Sequence, residues 1–180
     1  MLVKFTKTLS ISILFASFLL FGLTACFKKT SDNVGGSSAD GSKKVTIYFT
    51  KASDELGVVL IPVVRKITEG RTAYETAFRE LFLGPTIKEK EKLKLNTEIP
   101  EGTRLINVEE LPKKVNIDIS GQFMDGGGSE TMQARFRQLR ETALTTAKGR
   151  PVYLYIDGVL AQKIGGEGLE LPQPLGAKLD

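Results

Sequence analysis

The chain has 180 residues, with 25 Lys and Arg against 21 Asp and Glu, which gives a formal net charge of +4. It contains no histidine, no tryptophan and one cysteine. This composition excludes a Ser-His-Asp triad, a Cys-His pair, zinc sites built from His or Cys, and an intrachain disulfide. Lys4 and Lys7 supply two of the four surplus charges and precede an apolar run. The rest of the chain is therefore nearly neutral, which gives no support to nucleic-acid binding.

The N-terminal segment, residues 1–25, has the pattern of a secretory signal peptide. A short positive region is followed by the uncharged apolar run "LSISILFASFLLFG" at residues 9–22. The residues directly after this run are Leu23, Thr24, Ala25 and Cys26. This ending resembles the lipobox of bacterial lipoproteins, in which the cysteine thiol is diacylated, the signal is cut before the cysteine, and the new amino terminus is acylated.

The resemblance implies lipidation of Cys26 and an extracytoplasmic location, since two or more acyl chains hold a protein stably on a membrane. Acylation also accounts for a lone cysteine in an exported chain. Two other interpretations stay open: an uncleaved anchor, at the short limit of the ~20 apolar residues that a span needs, and an incidental thiol after an ordinary signal peptide. Residues 26–44, polar and rich in Gly and Ser after the cysteine, are predicted to be a flexible tether with a reach of ~20–25 Å.

The first half of the globular segment is predicted to be a pair of strands followed by a helix. "KVTIYFT" alternates apolar and polar residues from Val45 to Phe49, which is typical of a half-buried strand. "GVVLIPVVRKI" is a second extended run, in which Pro62 favours an edge position or a bulge. In "TAYETAFRELFLGP", Thr72 and Glu75 have capping-box spacing, apolar residues recur at helical intervals, and Gly-Pro ends the helix.

The second half has the same order of elements. "TIKEKEKLKLNTEIPEGT" is polar and predicts a long surface loop or a short helical turn. "RLINVEELPKKVNIDIS" predicts two strands joined at Pro112, and a helix follows from about Glu130 to Ala147. "VYLYIDGVLAQKI" predicts a hairpin with a type I′ turn at Asp157 and Gly158. The residues after it show no periodicity and are expected to form a loosely ordered strap.

These elements predict an α+β domain with the order β-β-α-β-β-α-β-β. Strands and helices that each have one apolar face fit a two-layer sandwich, with two helices on one face of a mixed sheet. The strand before the second helix and the strand after it are expected to be parallel neighbours.

The glycine-rich stretch "DGGGSE", residues 125–130, raises the question of phosphate binding. It lacks the lysine of a P-loop and the glycine spacing of the dinucleotide fingerprint. Glu130 also places a negative charge at the helix terminus that a phosphate would occupy. A structural corner is therefore predicted, with Ser129 as a candidate N-cap.

The acids offer no catalytic or metal-binding pattern. Asp118 lies on the polar face of a strand, Asp125 in the glycine turn, and Asp157 in the hairpin turn. Structural roles are favoured for all three. No catalytic residue, metal or cofactor is predicted.

Three arginines on the second helix are the remaining candidates for a site: Arg135, Arg137 and Arg140. They are predicted to face away from the apolar stripe or to flank it, where they would bind an acidic partner protein or an anionic wall polymer. The alternative is a solvated helix face with an i,i+4 pair between Arg137 and Glu141.

The chain resembles the GerMN domain of sporulation and spore-germination lipoproteins. The resemblance rests on "VTIYFT", "VVRKI", "TAYETAFRELFLGPT", "IPEGTRLINV", "VNIDIS" and "VYLYIDG", in this order behind the lipobox. It covers residues 45–172 and leaves residues 173–180 as a C-terminal tail. It implies an α+β fold akin to the ring-building motifs of secretion and sporulation machinery, no known catalysis, and a role in envelope-associated assembly. The prototype carries two such domains in tandem, whereas this chain carries one.

The predicted function is that of a non-catalytic, lipid-anchored module on the outer face of a bacterial membrane, acting in sporulation or germination. Its expected partner is an envelope protein or a second copy of the chain. The alternative is an extracytoplasmic binding protein for an anionic cell-wall polymer. An enzyme would require Asp118 and a second carboxylate to face each other in a cleft.

Overall fold

The computed structural model describes residues 43–165 and 168–177. The predicted signal peptide, the lipobox and nearly all of the tether, including Cys26, lie outside these residues and stay predictions. The described part of the chain contains three α-helices, one 3-10 helix and eight strands. The predicted α+β class is confirmed.

Strand β1 (Lys44–Ser53) and strand β2 (Gly57–Lys66) form an antiparallel hairpin with an unbroken register. The core-facing residues of β1 are Val45, Ile47 and Phe49. Pro62 of β2 lies opposite Tyr48 of β1. Among the described strands, β2 pairs with β1 alone. The edge position expected for Pro62 is confirmed, because a strand without a second neighbour loses no ladder hydrogen bond at proline.

The second sheet has the order β3-β4-β5-β6. Strand β3 (Leu105–Glu110) is antiparallel to β4 (Val115–Ile119), which is parallel to β5 (Val152–Ile156). The parallel pair joins the strands before and after the long helix, as predicted. Strand β6 (Val159–Leu160) returns antiparallel to β5.

The turn between β5 and β6 has the predicted backbone conformation. Asp157 and Gly158 both have positive φ, 48° and 78°. A type I′ turn requires positive φ at both central residues, which Asp followed by Gly tolerates well.

Helix α1 (Ala73–Leu83) begins with the predicted capping box. The Glu75 N–H donates to Thr72 Oγ1 at 3.2 Å, and the Thr72 N–H donates to Glu75 Oε2 at 2.7 Å. The helix ends at Gly84, whose φ of 78° suits a residue without a Cβ. The polar segment that follows is partly helical. Helix α2 (Ile87–Leu93) has a second capping box, formed by Thr86 and Glu89.

Helix α3 (Ser129–Ala147) follows a short 3-10 helix (Gly121–Met124) and the glycine-rich corner. Its N-cap is Gly128, in extended conformation, and Ser129 is the first helical residue. The prediction of Ser129 as the N-cap is therefore wrong by one residue. Helices α1 and α3 both pack on β1, and Phe49, Phe78 and Leu139 are fully buried in the core that these elements share.

The strands form separate sheets, whereas the sequence predicted one mixed sheet. The outer edge of β1 is closed by other groups. The Tyr48 N–H donates to Thr142 Oγ1 of α3 at 3.1 Å, and Thr50 forms an isolated antiparallel bridge with Asn96. Because a helix side chain and a loop backbone take up these bonding positions, β1 does not continue the four-stranded sheet.

The C-terminal residues pack more firmly than the loose strap that the sequence predicted. Strands β7 (Lys163–Ile164) and β8 (Leu169–Glu170) pair antiparallel. Beyond them, the Leu175 N–H donates to the Val152 carbonyl at 2.7 Å, and Leu175 is buried in the core. The packed part of the chain therefore extends beyond Pro172.

Candidate interaction groove

A groove of about 750 Å³ lies between α1 and β3. Its lining residues lie at positions 71–83 on the helix side and 101–110 on the strand side. We call this surface the α1–β3 groove.

Helix α1 forms one wall of the groove because it has two differently composed faces. Its core face carries Tyr74, Ala77, Phe78 and Leu81, all buried. The residues that line the groove are Thr72, Glu75, Arg79, Phe82 and Leu83. Intervals of three and four residues place these side chains on one side of the helix.

Arg150 links the end of β3 to the beginning of α1. Its Nη2 donates to Glu110 Oε2 at 2.8 Å, and its guanidinium lies 5.9 Å from the centroid of the Tyr74 ring. The end of β3 therefore adjoins the beginning of α1. Burial raises the pKa of Tyr74 to about 12, so its hydroxyl stays neutral at physiological pH.

The lining of the groove also includes exposed apolar side chains. Leu83 is 77% exposed and Ile106 is 51% exposed. Phe82, also in the lining, is half-buried and packs against the core, with its ring centroid 5.8 Å from that of Phe78. Exposed apolar side chains that line one groove are typical of an interaction surface, whereas single ones are common on any protein.

Charged residues of both signs line the groove: Arg71, Arg79, Arg104, Glu75, Glu101 and Glu110. Two of the glutamates are already engaged, Glu110 by Arg150 and Glu75 by the capping box. No ion pair of the three arginines occurs among the residues that the structure describes. These arginines are available to carboxylates on another molecule.

Strand β3 is the outermost strand of its sheet, and no strand among the described residues pairs with its outer edge. Just beyond the strand, the Leu111 N–H donates to the Lys114 carbonyl at 2.9 Å. Hydrogen-bonded pairs alternate along an antiparallel ladder. The backbone N–H and C=O groups of Glu109 therefore also point towards β4. Those of Val108 and Glu110 point outward, away from β4.

The other edges in the described part of the chain are less suited to adding a strand. The outer edge of β1 is occupied, as described above. Strand β2 lacks an N–H at Pro62, near its centre, and proline on an edge strand discourages pairing. Strand β6 has two residues.

The three arginines predicted to form a patch on α3 do not lie together on its surface. Arg135 is 3% exposed. It donates from Nε to the Glu98 carbonyl at 2.8 Å, from Nη1 to the Phe123 carbonyl at 2.7 Å, and from Nη2 to the Gly126 carbonyl at 3.2 Å. Burial lowers its pKa. Arg135 is thus unavailable to an external anion, and the prediction that it faces away from or flanks the apolar stripe is wrong.

The sequence contained a signal for this burial. Arg135 follows Met132 by three residues and precedes Leu139 by four, so it belongs to the apolar stripe of α3. A long charged residue inside such a stripe indicates either a buried, hydrogen-bonded charge or a break in the pattern.

Arg137 and Arg140 remain accessible but have partners within the chain. Arg137 Nη2 donates to the Val58 carbonyl at 3.1 Å. Arg140 Nη1 pairs with Glu141 Oε1 at 2.7 Å. The expected pair of Arg137 with Glu141 is therefore replaced by a pair of Arg140 with the same carboxylate.

Two of the acids hold neighbouring loops together. Asp118 Oδ1 accepts a hydrogen bond from the Gly158 N–H at 3.0 Å, and Asp157 Oδ2 accepts one from the Gly121 N–H at 3.1 Å. Asp125 follows the 3-10 helix, and its N–H donates to the Gln122 carbonyl at 3.0 Å. In residues 43–165 and 168–177, no group of three or more acidic, Cys or His side chains is placed to hold a metal ion.

The glycine-rich corner joins β4 and the 3-10 helix to α3, as predicted. Gly126 and Gly127 have φ of 61° and 88°, which favours residues without a Cβ. The bond from Arg135 to the Gly126 carbonyl fixes the corner to the helix that it precedes.

The fold and the groove define a class of protein: an α+β module with an open sheet edge beside a partly apolar, charged groove. A family model described as "Germane: Sporulation and spore germination" matches residues 46–162. The chain belongs to this sporulation and spore-germination family, which confirms the resemblance noted from the sequence.

Solved structures agree with this fold. The first GerMN domain of the sporulation protein GerM from Bacillus subtilis is 16% identical, with a TM-score of 0.58, and the match covers 73% of this chain and 96% of that domain. The tandem GerMN domains of the same protein are 17% identical, with a TM-score of 0.52 and 78% of this chain covered. This chain spans about half the length of the tandem structure, 49%.

A search of curated protein sequences finds no match to the chain. Among the helices of the described residues, none combines the length and the apolar character needed to cross a bilayer.

Proposed function

We propose that the chain is a lipid-anchored, non-catalytic interaction module on the outer face of a bacterial membrane, where it takes part in envelope-associated assembly during sporulation or germination. The family supports the process, and the N-terminal pattern ending at Cys26 supports the anchor. The single observation that carries the interaction is the α1–β3 groove. It combines a strand edge that no described strand covers, exposed apolar side chains, and arginines without an ion pair to any described residue, and protein interfaces use all three.

The anchor and the tether would allow a groove of low intrinsic affinity to bind its partner. Lipids at Cys26 would confine the domain to a layer close to the bilayer, with a tether reach of ~20–25 Å. Partners confined to the same layer meet at a high effective concentration, so the groove needs only modest intrinsic affinity.

The interaction is tested by photocrosslinking in the native cell with the full-length chain. A photoreactive amino acid replaces Leu83 in the groove, and a matched variant carries it at Leu56, which is 74% exposed in the turn between β1 and β2. We expect a discrete protein adduct in the membrane fraction from position 83 and none from position 56. Failure to form an adduct at position 83 in growing, sporulating and germinating cells contradicts the proposal, as do equal adducts at both positions.

The anchor is tested by fractionating cells that express Cys26→Ser. This variant should leave the membrane fraction and lose incorporation of labelled palmitate, while the control Thr30→Ser should keep both. Membrane retention of Cys26→Ser would refute lipidation as the means of attachment.

Binding to an anionic wall polymer is the competing outcome. It predicts that the chain sediments with purified cell wall and that Arg137→Gln with Arg140→Gln abolishes this sedimentation. The proposed protein interaction predicts that these two substitutions leave the adduct at position 83 unchanged.

A further inference from the structure

We infer that helix α2 is a membrane-docking surface, which binds anionic lipid headgroups and holds the anchored domain against the bilayer. The inference rests on the anchor of the proposed function and is independent of the α1–β3 groove. Three observations support it: the charges of α2, its exposed apolar side chains, and its place near the point where the chain enters the domain.

Helix α2 and the residue that ends it carry a cluster of lysines. Four of the seven residues from Lys88 to Lys94 are lysines, at positions 88, 90, 92 and 94, and all four are exposed. None of the four forms an ion pair with a residue that the structure describes. Of the two glutamates between them, Glu89 is paired with Arg65, which leaves Glu91. Four lysines against one free glutamate give a local excess of three positive charges, which complements an anionic membrane surface.

The ion pair with β2 determines which face of α2 points outward. Glu89 accepts hydrogen bonds from Nη1 and Nη2 of Arg65 at 2.8 and 2.7 Å, so this side of the helix faces the domain. Ile87 lies two residues away, about 160° around the helix, and therefore points away from the domain. Lys88 and Lys90 flank this outward face on its two sides.

Exposed apolar side chains lie among the lysines. Ile87 is 76% exposed and Leu93 is 52% exposed, and neither packs against the core. A surface that joins lysines to exposed apolar side chains suits the boundary between headgroups and acyl chains. A wall polymer of charged and hydroxylated repeats offers no such apolar phase, so a lipid surface fits α2 better. Two apolar side chains bind a bilayer weakly, and the lipid anchor would supply the remaining attachment.

Helix α2 also lies near the point where the chain enters the domain. Strand β1 begins at Lys44, and the next residue, Val45, lies opposite Arg65 in the hairpin. Because Arg65 contacts Glu89, α2 lies within the length of one arginine side chain of this strand pair. The predicted tether before β1 has a reach of ~20–25 Å, which keeps α2 close enough to the bilayer to meet it.

Docking is tested with a tryptophan at position 87, since the chain has none of its own. The full-length lipidated Ile87→Trp chain is placed in vesicles of phosphatidylethanolamine with phosphatidylglycerol, or of phosphatidylcholine alone. We expect its emission to shift to shorter wavelength, and to be quenched by brominated acyl chains, in the anionic vesicles only. The matched control is Leu56→Trp, which is 74% exposed in the turn at the other end of the β1–β2 hairpin and should show neither change.

The charges are tested by two opposite substitutions in the Ile87→Trp chain. Lys90→Glu should lower the ratio of docked to undocked domain about fivefold or more, which is the contribution of one lysine near an anionic surface. Glu91→Lys should raise this ratio, so that docking persists at higher salt concentration. Lys163→Glu changes the net charge by the same amount as Lys90→Glu, at an exposed position in β7, and should leave the ratio unchanged.

The outcomes separate docking from the proposed function. Equal emission from positions 56 and 87, or equal effects of Lys90→Glu and Lys163→Glu, would overturn the docking surface and leave the anchor and the groove intact. An emission shift with purified cell wall but not with anionic vesicles assigns the lysines to a wall polymer and rejects the lipid. Leu93→Trp repeats the test if Ile87→Trp does not match the parent chain in urea unfolding. A chain that is not lipidated at Cys26 removes the anchor, and with it this inference.

Discussion

Replacement of Arg135 should destabilise the domain more than any surface substitution on α3. Its guanidinium holds three backbone carbonyls, those of Glu98, Phe123 and Gly126, and lies 5.9 Å from the centroid of the Phe123 ring. These carbonyls belong to two segments that are separate in sequence, the loop before β3 and the corner before α3. One side chain therefore joins both segments to the helix.

The size of the effect follows from two opposing contributions. A hydrogen bond to a charged group contributes ~1.5–3 kcal/mol, and a buried carbonyl left without a donor costs ~1–3 kcal/mol. Removal of the guanidinium also removes the cost of burying its charge, which offsets part of this loss. We therefore expect Arg135→Met to lower the free energy of unfolding by about 3 kcal/mol, since water would replace only some of the lost donors.

Arg135→Lys provides the sharper comparison. Lysine keeps the buried charge but lacks the planar fork that reaches three carbonyls at once. We expect it to destabilise at least as much as Arg135→Met, although it conserves charge. The measurement is urea unfolding followed by circular dichroism at neutral pH, with Arg137→Met as the exposed control, expected to change stability by less than about 0.5 kcal/mol. If Arg135→Lys matched the parent chain, the three-carbonyl account would be wrong.

Two further predictions concern a half-buried ion pair and the glycine corner. Arg65 donates to both oxygens of Glu89 at 2.8 and 2.7 Å and holds the pKa of Glu89 at about 2, below its ordinary 4.5. A depressed carboxyl pKa stabilises the fold above the unfolded pKa, so on the order of 2–3 kcal/mol should be lost as the pH falls from about 4.5 towards 2. Urea unfolding of Glu89→Gln should lack this portion of the acid dependence, and an unchanged acid profile would exclude the pair as its cause. At the corner, Gly127→Ala should cost about 1–2 kcal/mol or more, because its φ is 88° and a Cβ would lie 2.8 Å from Thr131 Cγ2. Gly128→Ser should be neutral or slightly stabilising in the same urea unfolding assay, since this N-cap is extended and a Cβ there meets open space. Equal losses from both substitutions would contradict the assignment of the strain to Gly127.

Local patterns predicted the elements whose determinants are local. Three such elements depend on residues only a few positions apart in sequence: the capping box of Thr72 and Glu75, the alternation in β1 and the Asp-Gly turn. The structure confirms all three. The parallel pairing of β4 and β5 also followed, because a strand, a helix and a second strand have few ways to pack.

Features that depend on distant residues were not predictable in the same way. The separation of β1 from the larger sheet depends on Thr142 and Asn96, which are more than 40 residues away in sequence. The packing of Leu175 depends on a hydrogen bond to the Val152 carbonyl. The tail shows no periodicity from which this packing could have been predicted. The α1–β3 groove likewise exists because two elements leave space between them, and no motif in either element encodes that space. The burial of Arg135 is the exception, since its place in the apolar stripe could have indicated it.

The closed outer edge of β1 has a consequence for how far assembly can proceed. A domain with two usable sheet edges can add copies without limit, as fibrils do. In the described residues of this chain, Thr142 of α3 and the loop residue Asn96 bond to the outer edge of β1, and Pro62 leaves β2 without one backbone N–H. Strands β6, β7 and β8 have two residues each, so among the described strands only the outer edge of β3 is suited to adding a strand. A domain with one usable edge can pair through it only once, so a larger assembly would have to be built through a different surface.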